Sequence, residues 1–272
     1  MTTRLWGEAL RRFGRHGSVV LCYHGVAAPA ADVDPGSLRV SPDSFRAQVE
    51  LLLEAGFEFL TVAEFVRRAR GGTPPPGLAA LSFDDGMDDN HSVVLPILRD
   101  YGIPATVYVI TGLIGMPNPW LSPGAHSRMM TVEELRELAA AGVELGAHSV
   151  THPDFSQLDR ETSLREMVES RDTLERLTGA AVTTFAYPFC KYNAASAAAA
   201  REAGFDAAVT CWERGSWDPY ELKRPLITGR DGIPSFVLKI VGVYLPLFDN
   251  RGARIARAAT HGLRRKLRRG SE

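Results

Sequence analysis

Apolar positions along the chain follow two alternating rhythms. Short apolar or β-branched runs recur between stretches in which apolar residues return every three or four positions, the pattern of strands separated by helices in βα units. The first run is Ser18 to Tyr23. Ser41-Pro42-Asp43 then opens a helix carrying Phe45, Val49, Leu52 and Leu53, and Gly56 ends it because glycine tolerates positive φ. Thr61 to Arg70 predicts a second short helix, followed by the loop from Gly71 to Gly77. A strand at Leu78 to Phe83, a helix at Ser92 to Tyr101 and a strand at Thr106 to Ile110 come next, and the Gly/Pro-rich stretch from Thr111 to Gly124 predicts a long loop. Thr131-Val132-Glu133-Glu134 has the form of a capping box for a helix to Ala141. The remaining pattern predicts a strand at Val143 to Ala147, a helix capped by Asp159 and running to Leu177, a strand at Thr183 to Tyr187, an Ala-rich helix at Ala194 to Ala203 and a strand at Asp206 to Thr210. Six or seven strands alternating with helices predict an α/β fold, a closed or nearly closed (β/α) barrel in preference to an open doubly wound sheet. No GxGxxG or GxxxxGK[ST] follows any strand, which counts against dinucleotide and nucleotide binding.

At 272 residues, 45% hydrophobic and 23% charged, the chain has ordinary globular composition and reads as one domain over residues 18–248 with short extensions. The formal net charge of -1 gives no global attraction to nucleic acid. Charge is local instead. In the tail at residues 249–272, the stretch from Arg251 to Arg269 holds Arg251, Arg254, Arg257, Arg264, Arg265, Lys266, Arg268 and Arg269 with no acid among them, and residues 1–17 echo it with Arg4, Arg11, Arg12 and Arg15 around Leu5, Trp6, Leu10 and Phe13. Such ends suit peripheral contact with an anionic membrane surface, or are simply solvated helix ends. The longest apolar stretch, Phe236 to Phe248, is interrupted by Lys239 and Pro246 and is too short to span a bilayer. No secretory signal pattern opens the chain, so the expected location is cytoplasmic or peripheral at the inner membrane face. Cys22, Cys190 and Cys211 are odd in number and widely spaced, which predicts neither a disulfide framework nor a CxxC metal site and fits a reducing compartment.

In a barrel of this kind the loops after the strands converge on one mouth, so chemistry is sought where strands end. Leu81-Ser82-Phe83 runs into Asp84-Asp85-Gly86. Two adjacent carboxylates leaving a strand point in different directions, so one can bind a cation while the other stays free as a base; an Asx turn with Gly86 is the plainer explanation. Glu144-Leu145-Gly146-Ala147 runs into His148-Ser149-Val150-Thr151-His152-Pro153. If that loop makes one helical turn, the two imidazoles face the same side and offer neutral nitrogen to zinc or its neighbours. With Asp85 they form a two-His, one-carboxylate set with open positions, suited to hydrolysis or to oxygen chemistry. His24 follows the first strand in Cys22-Tyr23-His24-Gly25, where a lone histidine is usually a hydrogen-bonded core residue.

Together these pieces closely resemble the polysaccharide deacetylase family, also described as NodB-homology or carbohydrate esterase family 4 proteins, over roughly residues 18 to 230. Ser82-Phe83-Asp84-Asp85-Gly86 resembles the family's first motif, which implies Asp84 as general base and Asp85 as metal ligand. His148-Ser149-Val150-Thr151-His152 resembles the second, which implies both histidines as metal ligands. The third motif departs from the commonest form: Phe185-Ala186-Tyr187-Pro188-Phe189-Cys190 lacks the arginine that orients the base, so that support must come from elsewhere, with Arg224 as the candidate. Phe-Ala-Tyr-Pro followed by an aromatic resembles the exopolysaccharide-modifying branch, and the resemblance implies the Phe189 N–H as an oxyanion donor. The last motif, Leu-x-His near the C-terminus, is absent, and His261 lies in the basic tail; in that branch the segment is permuted to the N-terminus, which implies His24 as general acid. Cys190 and Cys211 are read as buried structural thiols.

The resemblance implies a distorted (β/α)7-type barrel and removal of N-acetyl groups from a sugar, oligosaccharide or polysaccharide. The implied cofactor is a divalent metal, Zn2+ first, with Co2+ or Ni2+ as alternatives. Three rival readings stand beside it: an N-deformylase or deacetylase of a lipid-linked sugar at the inner membrane surface, a catalytically silent sugar-binding relative, and a metal-dependent oxygenase, which shares the ligand types but sits on an all-β scaffold. Retention of Asp84 argues against the silent relative, because binding alone needs no free carboxylate beside a metal ligand.

Overall fold

Alternation of side chains along each strand sorts the core into two layers, and that sorting decides which residues reach the mouth. The computed structural model describes residues 2–14, 17–28, 34, 37–69, 72–120, 127–211 and 217–242. The basic tail from Arg251 to Arg269 with His261, and the end of the apolar stretch toward Phe248, lie outside the described residues.

In chain order the elements are α1 (Thr2–Gly14), β1 (Val19–Tyr23), β2 (Gly25–Val26), β3 (Arg39–Val40), α2 (Pro42–Glu54), β4 (Glu58–Leu60), α3 (Val62–Ala69), β5 (Leu78–Phe83), α4 (Leu95–Tyr101), β6 (Thr106–Val109), α5 (Val132–Ala140), β7 (Glu144–Ala147), α6 (Arg160–Thr178), β8 (Thr184–Ala186), α7 (Ala194–Glu202), β9 (Ala207–Thr210), β10 (Leu222–Lys223) and α8 (Ile233–Ile240). All pairings of the main sheet are parallel, in the order β1-β5-β6-β7-β8-β9-β10, with β4 alongside the first half of β5. Beyond β10 the chain turns back to β1: the Cys22 N–H donates to Pro225 O at 3.1 Å and the Ile227 N–H to Cys22 O at 2.8 Å. The sheet is thereby curled into a nearly closed barrel, as the alternation of strands and helices predicts.

The outward layer, with Leu21, Tyr23, Leu81, Phe83, Val107, Leu145 and Phe185, packs against the helices. The inward layer holds Val20, Leu78, Ala80, Tyr108, Ala186, Val209 and Leu222. Continuing the inward alternation by two residues leads from Val20 through Cys22 to His24, from Ala80 through Ser82 to Asp84, from Gly146 to His148, and from Leu222 to Arg224. His24, Asp84, His148 and Arg224 are therefore the first positions beyond their strands on the inward side, a consequence of period-two geometry. Gly146 is part of the fit, since a Cβ there would overlap the Tyr108 ring.

Helix ends follow their sequence signals. Ser41 caps α2, Asp159 caps α6, and Thr131 and Glu134 exchange both capping-box hydrogen bonds, Thr131 N to Glu134 Oε2 at 2.8 Å and Glu134 N to Thr131 Oγ1 at 3.3 Å. The periodicity does not give β4, the two-residue β10, or the helical form of the N-terminal segment, whose Leu10 is fully buried and whose Arg11 reaches the carbonyl of Glu54 at 3.2 Å. Among the described residues no helix is long and apolar enough to cross a membrane.

Glu134 gives a pH-dependent test of this framework. Hydrogen bonds from Arg128 hold its carboxyl down to about 2 against the opposing effect of burial, helped by the Thr131 N–H. A depressed carboxylate contributes stability above its unfolded pKa that is lost as pH falls through the folded value. Glu134→Gln is expected to cost about 1 kcal/mol at neutral pH. It should also flatten the loss of stability between roughly pH 4 and about pH 2, which urea unfolding across that range measures.

Candidate active site

The two adjacent aspartates separate as they leave β5. Asp84 stays inward and buried, and its carboxylate receives both terminal nitrogens of Arg224, Nη1 to Oδ1 at 2.7 Å and Nη2 to Oδ2 at 2.8 Å. Arg224 is itself fully buried; it also donates to Ser82 Oγ at 2.9 Å and lies 5.3 Å over the Tyr108 ring. Burial alone would raise the Asp84 carboxyl, but the Arg224 guanidinium, with help from His148, overrides it and holds the group well below the usual carboxylate range.

Asp85 takes a left-handed backbone conformation, φ 74°, which turns its side chain away from its neighbour's. Its Oδ1 faces His148 Nε2 at 3.4 Å and His152 Nε2 at 3.5 Å. The other ring nitrogen of His148 is committed to the carbonyl of Ala186, Nδ1 to O at 2.7 Å, so Nε2 is aimed at the centre. The loop that brings His152 round is not the single helical turn considered for the His-x-x-x-His spacing. Ser149 and His152 both have positive φ, 66° and 57°. The turn is held by the His152 N–H on Ser149 Oγ at 3.0 Å and by Glu166, whose carboxylate accepts from Val150 N at 2.9 Å and Thr151 N at 3.0 Å. Gly112 lets the neighbouring loop close on it, donating to Val150 O where any Cβ would collide.

These three side chains fit a cation. One ligand atom from each of Asp85, His148 and His152 lies within 4.8 Å of the others. The two N···O separations are too long for good hydrogen bonds, yet tetrahedral ligands at zinc bond lengths stand roughly 3.4 Å apart. Burial, then the nearby charge of His148, pushes the His152 imidazole down to about 4, leaving a neutral nitrogen with its lone pair free at neutral pH. A second cluster, Cys22, Asp84 and Cys211, has donor atoms equally close. It is not a cation site, because Arg224 occupies the carboxylate and Cys211 is bonded to Cys190.

His24 sits half-buried at the same mouth. Its Nδ1 is buried without a hydrogen-bond partner among the described residues. Phe189 follows β8 in a left-handed conformation, φ 55°; its side chain is 55% exposed and its ring centroid lies 4.5 Å from that of His152. Thus all seven residues singled out in the sequence, His24, Asp84, Asp85, His148, His152, Phe189 and Arg224, gather at one end of the barrel. Trp120, with its ring 5.0 Å from His152, joins them from the Gly/Pro-rich loop, where no spacing marked it.

The cysteines correct the sequence reading. Cys190 and Cys211 are not thiols but a disulfide, with Cα atoms 5.1 Å apart. The two residues follow neighbouring parallel strands, β8 and β9, whose ends the fold brings together, and a sequence separation of 21 gives no hint of it. With Cys190 and Cys211 paired, the cysteines no longer favour a reducing compartment.

A family model described as polysaccharide deacetylase matches residues 71–208, about half of the chain. The chain belongs to the polysaccharide deacetylase family. Among its relatives, Bacillus subtilis YxkH is 27% identical over 192 residues, covering 70% of this chain and 63% of that one. The Staphylococcus aureus poly-beta-1,6-N-acetyl-D-glucosamine N-deacetylase is 27% identical over 164 residues, 57% of this chain and 54% of that one. The chain thus spans less than two thirds of either relative. The structure of Streptococcus pyogenes deacetylase PplD in complex with acetate matches with a TM-score of 0.68 at 26% identity, covering 82% of this chain and 97% of that one. Ammonifex degensii IcaB shares the fold with a TM-score of 0.68 at 24% identity, over 84% of this chain and 97% of that one.

In this polysaccharide deacetylase framework the Arg224–Asp84 pair carries a stability consequence. Removing one partner of a buried ion pair typically costs about 3–5 kcal/mol because the other charge is left uncompensated. Arg224→Gln should therefore lower unfolding free energy by roughly that amount. Adding Asp84→Asn should restore part of it, a non-additivity that a double-mutant cycle by chemical denaturation measures.

Proposed function

We propose that this chain is a metal-dependent hydrolase that removes N-acetyl groups from a sugar or polysaccharide, releasing acetate. The observation that carries the reading is the separation of roles between neighbours: Asp85 converges with His148 and His152 within 4.8 Å, while Asp84 stands outside that cluster, paired with Arg224. Family membership supports it. So does the similarity to a Staphylococcus aureus relative named for N-deacetylation of poly-beta-1,6-N-acetyl-D-glucosamine, and to a Streptococcus pyogenes deacetylase whose complex holds acetate, the product such a reaction would release.

Asp85, His148 and His152 would hold the cation, Zn2+ first and Co2+ or Ni2+ as alternatives. Bound there, a divalent ion polarises an acyl carbonyl and makes water acidic enough to attack near neutral pH. Asp84, aimed by Arg224, accepts the proton of the attacking water. The Phe189 N–H donates to the oxygen on which charge develops, a contribution that oxyanion donors typically make at about 2.7–4 kcal/mol of barrier. His24 then protonates the leaving amine, leaving a free amino sugar. Phe189 and Trp120 flank His152 with apolar rings against which the face of a pyranose can lie.

Asp84→Asn should abolish acetate release from N-acetylglucosamine oligomers while the bound metal, measured by elemental analysis, stays stoichiometric. An active variant would remove Asp84 from the role of base. Chelation should abolish activity, with return on adding Zn2+, Co2+ or Ni2+, and His152→Ala should lower metal content together with activity. A lipid-linked sugar at an anionic membrane is the second reading, favoured by the eight basic residues from Arg251 to Arg269. Co-sedimentation with anionic vesicles that is lost on deleting residues 250–272 would favour it, since each Lys or Arg near such a surface contributes about 1 kcal/mol.

A further inference from the structure

Asp84 has a third donor that no motif marks. Cys22 is the fourth of the five residues of β1, fully buried, and its Sγ lies 3.4 Å from Asp84 Oδ2, the oxygen that also receives Arg224 Nη2. Two other acceptors are in reach of the thiol, the sulfur of Cys211 at 3.6 Å and the carbonyl of Tyr23 at 3.8 Å. A disulfide sulfur is a weak acceptor, and the carbonyl is the farther of the two; the ionised carboxylate is the nearest and the strongest. Burial keeps the thiol protonated, with Arg224 opposing and the Asp84 charge reinforcing, so Cys22 is a neutral donor facing an anion.

The backbone of the same residue closes the barrel. Its N–H and carbonyl bind Pro225 O and the Ile227 N–H on the segment that follows Arg224. Cys22 therefore touches both members of the pair, the carboxylate through its side chain and the strand of the guanidinium through its main chain.

We infer that Cys22 is a positioning residue for the reaction: its S–H fixes the rotation of the Asp84 carboxylate about the Arg224 fork, so that the remaining lone pair of that carboxylate is presented to the attacking water. The inference rests on the reading of Asp84 as the base. A guanidinium alone holds a carboxylate in one plane but lets the pair rock together; a donor from β1, on another side of Oδ2, prevents that.

With Cys190 and Cys211 joined, Cys22 carries the one S–H group in the chain, which gives a readout independent of turnover. The S–H stretch in infrared difference spectra, wild type against Cys22→Ala, should lie at the lowered wavenumber of a hydrogen-bonded thiol and move up in Asp84→Asn, where a neutral amide replaces the anion. Cys22→Ala should lower kcat for acetate release roughly three- to tenfold at unchanged KM, the size expected for one weak donor to a charged group. Cys22→Ser, which keeps a donor of similar size, should restore most of it. An S–H band that Asp84→Asn leaves unmoved overturns the inference, as does a Cys22→Ala enzyme with wild-type kcat. If Asp84→Asn itself proves active, the reading of Asp84 as base fails and this inference fails with it. An inactive Asp84→Asn beside a fully active Cys22→Ala removes only the inference.

Discussion

The structure depends on one buried ion pair. Arg224 and Asp84 immediately follow β10 and β5, both out of water, joined by two hydrogen bonds in the parallel geometry that suits a guanidinium and a carboxylate. Taking two charges from water costs several kcal/mol each, and the pair is tolerable because nearly every polar atom is occupied: Arg224 also reaches Ser82 Oγ and Thr210 O and stacks on Tyr108. It couples strands far apart in the sequence, at the edge where the main chain of Cys22 closes the barrel. An apolar pair there would hold the strands as well, but it would not place a carboxylate at the mouth.

Backbone strain is distributed to the same end. Six non-glycine residues among those described have positive φ, and five of them, Asp85, Ser149, His152, Phe189 and Cys190, belong to the candidate site. Each costs on the order of 1–2 kcal/mol relative to a right-handed conformation, so they persist only where surrounding bonds over-determine them. Those bonds are visible: Glu166 under the 149–152 turn, the Gly112 contact beside it, and the Cys190–Cys211 disulfide with Thr210 Oγ1 on the Cys190 carbonyl at 2.7 Å. Strain at Asp85 is what lets two consecutive carboxylates serve different partners. In an unstrained strand they would point to opposite faces, and one would be lost in the outer layer.

How much of this could be read from the chain depends on whether the signal is local. The strands β5 to β9 and the helices between them follow from periodicity, and the capping box at Thr131 and Glu134 is written in four consecutive residues. The Asp-Asp-Gly and His-x-x-x-His segments are equally local, and each was legible with its neighbours. Strands β4 and β10 are three and two residues long, below the length at which alternation can be recognised, and each is set by its pairing with another strand, β5 and β9, rather than by its own residues. The disulfide is non-local in the same sense. The geometry of the 148–152 turn is not written in the spacing, which fixes which residues can meet and says nothing about the conformation by which they do.

Arg224 shows the middle case. Its type and position were suggested by a deficiency, the missing arginine of the third motif, since a buried carboxylate must find a cation somewhere. The chain answers that requirement from the residue after β10, two strands along from β8. The guanidinium then reaches Asp84 from there, and the one charged side chain of the loop after β8, Lys191, is drawn off to Asp154 at 2.7 Å. An exposed phenylalanine can stand there against His152, and the mouth can be apolar on one wall and acidic at its base. Moving one cation thus changes what the entrance can accept while keeping the carboxylate paired, so the departure from the common motif redistributes the site rather than dismantling it.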